Sequence, residues 1–224
     1  MFHIYGDSVT KSIAFDEKGA LKTVTDNFIK RAAEACGLAL NNRSLFGATI
    51  TKGRQLLKRF PKDFSPGDQV LLAYGGNDCN LPWEVISADP EASPEAKTPI
   101  KEFTAHLSAT IDELREKEVE PFLMNLLPLQ PKRFFDAVTQ GLHSDVILQW
   151  IGDIQEIYRW QEGYSQVVME TAARKGVPLF DARSVFLSHP HYEDLLCHDG
   201  MHLNDEGQAL LTDAFSQFLK TYVK

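Results

Sequence analysis

Apolar residues recur along the chain in two alternating rhythms, short continuous runs and longer stripes at helical spacing. Phe2-His3-Ile4-Tyr5 reads as a short strand closed by Gly6-Asp7. Thr23 to Gly37 reads as a helix, because Val24, Phe28, Ala32 and Ala35 share one face and Gly37 supplies a stop. Ala39 to Leu45 forms a weak second strand ending near Gly47, and Gln55 to Phe60 has a helical pattern. Gln69 to Tyr74 is the strongest strand, an apolar run suited to burial on both faces. Ile100 to Lys117 reads as a helix with Phe103, Leu107, Ile111 and Leu114 in register, and Glu120 to Leu126 as a fourth strand. Ser144 to Lys175 carries a long helical pattern through Ile147, Ile151, Ile154, Tyr158, Val168 and Ala172, which Gly152 and Gly163 can bend or break. Val177 to Phe180 is a fifth strand. Asn204 then caps a last helix to Val223, with Leu210, Leu211, Phe215 and Phe218 facing inward. Two proline-bearing stretches, Leu81 to Thr98 and Leu127 to Leu142, read as long irregular loops.

Five strands separated by helices imply a parallel sheet covered on both faces. The expected fold is α/β, a three-layer α/β/α sandwich of flavodoxin-like type with a five-stranded parallel sheet. The 224 residues show no linker or repeat, so one domain over 1–224 is expected. Charge narrows the partners: 23 Lys+Arg against 31 Asp+Glu give −8, with no dense basic run, which speaks against nucleic acid. Val70 to Tyr74 is among the longest apolar runs and is far too short to span a membrane. Three widely spaced cysteines (Cys36, Cys79, Cys197) do not suggest a disulfide framework. With no secretory leader ahead of the first strand, the expected location is cytoplasmic. The chain lacks Gly-x-Gly-x-x-Gly, a P-loop and a Gly-x-Ser-x-Gly elbow, so no cofactor is expected and the partner is read as a small molecule. Nothing in the pattern specifies an oligomeric state.

Open α/β sheets bind ligands beyond the carboxyl ends of their strands, and chemistry collects there. Gly6-Asp7-Ser8 follows the first strand, Gly47 the second and Gly75-Gly76-Asn77-Asp78 the third. Asp199-Gly200-Met201-His202 stands between the fifth strand and the last helix. Each is an ordinary turn or helix-start sequence taken alone. Together they supply a hydroxyl, an imidazole, a carboxylate and hydrogen-bond donors, the inventory that acyl transfer requires.

This constellation resembles the GDSL/SGNH hydrolase family. Gly6-Asp7-Ser8-Val9-Thr10 is similar to its first block, Gly47 to its second, Gly75-Gly76-Asn77-Asp78 to its third and Asp199-Gly200-Met201-His202 to its last. Val9 stands where the family name implies Leu, and Leu203 where Pro often follows the His; neither change removes a functional group. The resemblance implies Ser8 as nucleophile, His202 as general base and then acid, and Asp199 as its orienting carboxylate. It implies an oxyanion site made by the backbone N–H groups of Ser8 and Gly47 and the side-chain amide of Asn77. Its substrate would be a carboxylic ester, with a short acyl group or on a sugar or lysolipid. Trp83, Arg133 and Phe134 are candidate substrate contacts on the two long loops. Rival readings are a Cys79 or Cys197 nucleophile, and a metal site from His189, His191, Cys197, His198 and His202, whose spacing lacks a Cys-x-x-Cys. The same triad would equally serve a thioesterase or an acyltransferase, and the same fold would serve a non-catalytic or sensory binding domain.

Overall fold

The computed structural model of the chain describes residues 1–16 and 19–223. Strand β1 (Phe2–Gly6) is buried along its whole length and pairs in parallel with β4 (Leu40–Asn42) on one side and β5 (Gln69–Ala73) on the other. Beyond β5 lie β6 (Glu120–Met124) and β7 (Leu179–Phe180), so the sheet order is β4-β1-β5-β6-β7 with every pairing parallel. In order of appearance this is 2-1-3-4-5, the flavodoxin-like order expected for doubly wound sheets.

Alternate residues of each strand feed opposite layers. Phe2, Ile4 and Leu71 pack with Phe122 and Phe180 against α1 (Phe28–Ala35), α8 (Ala182–Leu187) and α9 (Asp205–Tyr222). Tyr5, Val70 and Leu72 pack on the other face against α2 (Ile50–Arg59), α4 (Ile100–Arg115) and α7 (Gln155–Lys175). Neighbours β4 and β5 flank β1 on opposite sides. The connections leaving β1 and β4 therefore run in opposite directions, which opens a crevice at the carboxyl ends of β1 and β5.

Several elements differ from the sequence-based expectation. The expected helix from Thr23 starts only at Phe28, because the Asn27 side chain accepts from the Lys30 N–H and caps it there. Thr23 instead ends an antiparallel hairpin of β2 (Ile13–Phe15) and β3 (Leu21–Thr23). Helix α2 begins five residues before Gln55, at Ile50, with Thr49 as its cap. The long pattern over 144–175 breaks into α6 (Ser144–Ile151) and α7 at Gly152, whose φ of 76° is left-handed, while Gly163 stays inside α7.

The two expected loops each contain a helix, α3 (Trp83–Ala88) and α5 (Pro131–Val138). Pro82 and Pro131 stand at the helix starts, where proline fixes φ and no intrahelical N–H bond is lost. A third apolar cluster of Leu81, Trp83, Ile86, Leu129, Phe135 and Ile147 joins α3, α5 and α6 above the sheet's carboxyl edge. No helix among the described residues is long and apolar enough to cross a membrane.

Candidate active site

Ser8 owes its position to the end of β1. A Cβ on Gly6 would stand 2.8 Å from the Ala73 carbonyl oxygen, so only glycine lets β1 run this close to β5 before turning. The turn is closed by Lys11 N–H to Asp7 O at 2.9 Å and Ser12 N–H to Val9 O at 3.0 Å, which leaves Ser8 at the crevice.

His202 and Asp199 are held just before α9. Gly200 adopts φ 72°, and a Cβ there would lie 2.6 Å from the Gln130 carbonyl oxygen. The Gln130 N–H in turn donates to the Gly200 carbonyl at 2.8 Å, tying this loop to the start of α5. Asp199 Oδ1 accepts from the Met201 N–H at 3.2 Å and the His202 N–H at 3.1 Å. Its Oδ2 lies 2.5 Å from His202 Nδ1, and both side chains are buried. Burial alone would push the Asp199 carboxyl up, but the imidazole and these backbone donors hold it below the usual carboxylate range. The other ring nitrogen, Nε2, is buried and finds no hydrogen-bond partner among the described residues. Ser8, Asn77 and His202 border one cavity of about 360 Å³.

Asn77 follows β5, and its amide Nδ2 donates to Asp7 Oδ2 at 3.4 Å. Its neighbour Asp78 accepts the Ile50 N–H on both carboxylate oxygens, at 3.0 and 3.2 Å. That bond fixes the first residue of α2, three positions after Gly47. Gly47 has φ 70° and does not border the cavity, yet its loop is adjacent to the site. The Phe46 ring lies parallel to the His202 imidazole with centroids 6.5 Å apart.

Burial pushes both the Asp7 and Asp78 carboxyls up to about 6. Their folded pKa lies above the unfolded value, so the folded chain binds more protons in between, and stability falls as pH rises from about 4 to about 6. Asp78→Asn keeps an acceptor for the Ile50 N–H and removes the buried charge. It is expected to exceed wild type at pH 7.5 by up to about 3 kcal/mol, with the gain vanishing near pH 4. Urea melts at the two pH values check this; a difference that stays constant with pH would contradict it.

The cavity wall comes from the segments between strands. Of the expected contacts, Trp83 and Phe134 border the cavity. Arg133 does not: its guanidinium turns away and donates to the Glu193 carbonyl at 2.9 Å. Trp150 and Trp160 also line the cavity, so all three tryptophans of the chain meet there. Cys79 borders the cavity too, but burial pushes its thiol far up and its Sγ donates to the Gly76 carbonyl at 3.2 Å, a poor state for a nucleophile. Burial likewise raises the Cys197 thiol, which donates to the Leu203 carbonyl at 3.3 Å. The histidines of the rival metal reading are scattered in use: His198 packs on Phe15 at 4.1 Å between ring centroids. Among the described residues no group of three His, Cys, Asp or Glu side chains is arranged to hold a metal ion.

Comparison with solved structures identifies proteins of the same fold. The lipase/acylhydrolase from Enterococcus faecalis superposes with a TM-score of 0.67 at 17% identity, covering 100% of this chain and 96% of that one. An acetyl xylan esterase gives 0.65 at 18% identity, covering 97% and 98%. A mutant of an acetyl-xylooligosaccharide esterase from Geobacillus gives 0.62 at 19% identity, covering 97% and 93%. These similarities establish the shared fold. No curated protein matches the chain in sequence. The sequence profile of the GDSL-like lipase/acylhydrolase family matches residues 4–210. The chain therefore belongs to the GDSL-like lipase/acylhydrolase family and is a carboxylic ester hydrolase.

Proposed function

We propose that this protein is a serine esterase acting through Ser8, His202 and Asp199 on esters whose acyl part is an apolar chain longer than acetyl. Ser8 Oγ attacks the ester carbonyl as its proton passes to His202 Nε2, and the carbonyl oxygen takes the negative charge. Asn77 Nδ2 and the backbone N–H groups of Ser8 and Gly47 are the donors for that oxygen. The tetrahedral adduct collapses, the alcohol leaves with the proton from His202, and an acyl group stays on Ser8. Water, deprotonated by the same nitrogen, then releases the acid and restores Ser8.

The observation that carries the substrate class is the cavity that Ser8, Asn77 and His202 share. Its remaining wall is mostly apolar, with Leu81, Leu126, Leu129, Ile151, Ile157 and the three tryptophans. Most of its other polar side chains are engaged by the protein itself. Asn80 accepts from the Trp83 indole at 2.8 Å, and Asn125 bridges Asp181 and the Arg183 N–H. Gln161 bridges the Leu127 carbonyl and the Arg183 guanidinium, and Glu156 pairs with Arg159. A sugar ring needs free donors and acceptors, whereas an alkyl chain needs none. The neighbours that act on acetylated xylan thus share the fold with this chain, and its cavity favours a different acyl group.

A series of p-nitrophenyl esters tests the proposal. From acetate upward, kcat/KM is expected to rise roughly three- to fourfold per methylene, following about 0.8 kcal/mol per buried CH₂, until the chain outgrows the cavity. A maximum at acetate would remove the apolar-acyl assignment. A thioester of the best acyl chain, run in parallel, separates an esterase from a thioesterase by which leaving group is preferred.

A further inference from the structure

A carboxylate beside the proposed nucleophile is an unexpected feature of a site that must stabilise negative charge. Asp7 is only 6% exposed, and no lysine or arginine pairs with it among the described residues. Isolated buried carboxylates are unfavourable unless their oxygens are well used. Both oxygens are used here, each on a component of the site. Oδ1 accepts the Val9 N–H at 3.0 Å, bracing the turn that carries Ser8, and Oδ2 accepts from the Asn77 amide at 3.4 Å. Gly76 is shaped to this contact, since a Cβ there would stand 3.3 Å from Asp7 Oδ2, the oxygen that meets Asn77.

We infer that Asp7 is a positioning residue for the oxyanion site: its carboxylate fixes which end of the Asn77 amide faces the reacting carbonyl. The reason is chemical. An amide side chain has a donor end and an acceptor end of nearly equal shape, and only the donor end stabilises an oxyanion. An ionised carboxylate accepts and never donates, so it is satisfied only by the amide's N–H₂ group. One N–H of Asn77 binds Asp7 and the second is left for the substrate oxygen. A partner able to donate would let the amide turn over and present its carbonyl oxygen, which repels the developing charge. This inference rests on the reading of Asn77 as an oxyanion donor.

The test is a double-mutant cycle on the best p-nitrophenyl ester. Asn77→Ala is expected to lower kcat roughly 10²- to 10³-fold. Asp7→Asn, nearly the same shape but able to donate, is expected to lower kcat roughly 10- to 100-fold with KM changed less than about threefold. The double variant should be no slower than Asn77→Ala within about threefold, because Asp7 acts through Asn77. Should Asp7→Asn fail to fold, Gly76→Ala takes its place in the cycle: its methyl crowds Oδ2 while leaving the carboxylate chemically unchanged, and its loss of kcat should also vanish in the Asn77→Ala background. Unchanged kcat in Asp7→Asn, or losses that multiply in the double variant, would overturn the inference and leave the esterase reading intact. An Asn77→Ala enzyme with full activity would instead remove the oxyanion assignment itself.

Discussion

Ser8→Ala brings ester turnover down to background, a fall of about 10⁶ in kcat, while the apolar chain still binds. The expectation follows from how the groups divide the labour. In the proposed mechanism the cavity walls contact the acyl chain and Ser8 contacts only the reacting carbon, so removing the hydroxyl would delete the covalent step and leave the binding surface whole. Residual rate arises from the oxyanion donors and from orientation alone. Both halves of the prediction are measurable on one protein, because Trp83, Trp150 and Trp160 all border the cavity and report its occupancy through their fluorescence. A long-chain ester added to the variant should shift that fluorescence and persist unhydrolysed. If the variant and wild type hydrolysed it at equal rates, the nucleophile would have to be sought elsewhere, and a non-catalytic role for Ser8 would replace the triad.

The parts of this site that were readable from the amino-acid order are those fixed by local chemistry. Gly6-Asp7-Ser8 must be a turn after a buried strand because a Cβ at Gly6 meets the next strand, and that constraint is written in a single residue. Asp199 and His202 lie three residues apart, so their contact is local as well. The apolar run of β5 could be buried only between two layers, which made the sandwich legible. The cavity was hidden for a physical reason. Pro82 and Pro131 look like breaks in structure, but at a helix start the missing N–H costs nothing, so two apparent loops are helices that build a wall. Ile151 and Ile157 sit on an apolar helical stripe, and periodicity cannot distinguish a face that meets the core from one that meets an empty cavity. The scarcity of tryptophan was the usable signal: three large rings spread over nearly eighty positions converge on one place. Arg133, a candidate substrate contact, is directed by the helical turn of α5 toward the Glu193 carbonyl.

Asp199→Asn is expected to lower kcat by roughly 10⁴ with little change in KM, a larger loss than deleting a single oxyanion donor. The two shapes are nearly identical, so the loss tests proton placement. In the wild-type arrangement Oδ1 is held by the Met201 and His202 N–H groups, and Oδ2 is left for Nδ1 of the imidazole. An asparagine that keeps its oxygen on the two backbone donors must turn its NH₂ toward Nδ1. A donor there requires Nδ1 to be an acceptor, which moves the ring proton to Nε2. Nε2 is the nitrogen that finds no partner among the described residues, and in the proposed mechanism it accepts the Ser8 proton. Protonated, it has no lone pair to do so. The effect is therefore a tautomer trapped by one hydrogen bond, and it should relax at high pH, where hydroxide can take the serine proton in place of the imidazole. An Asp199→Asn enzyme within about tenfold of wild type at neutral pH would show that this carboxylate does not set the tautomer; a deficit that shrinks as pH rises toward 10 would show that it does.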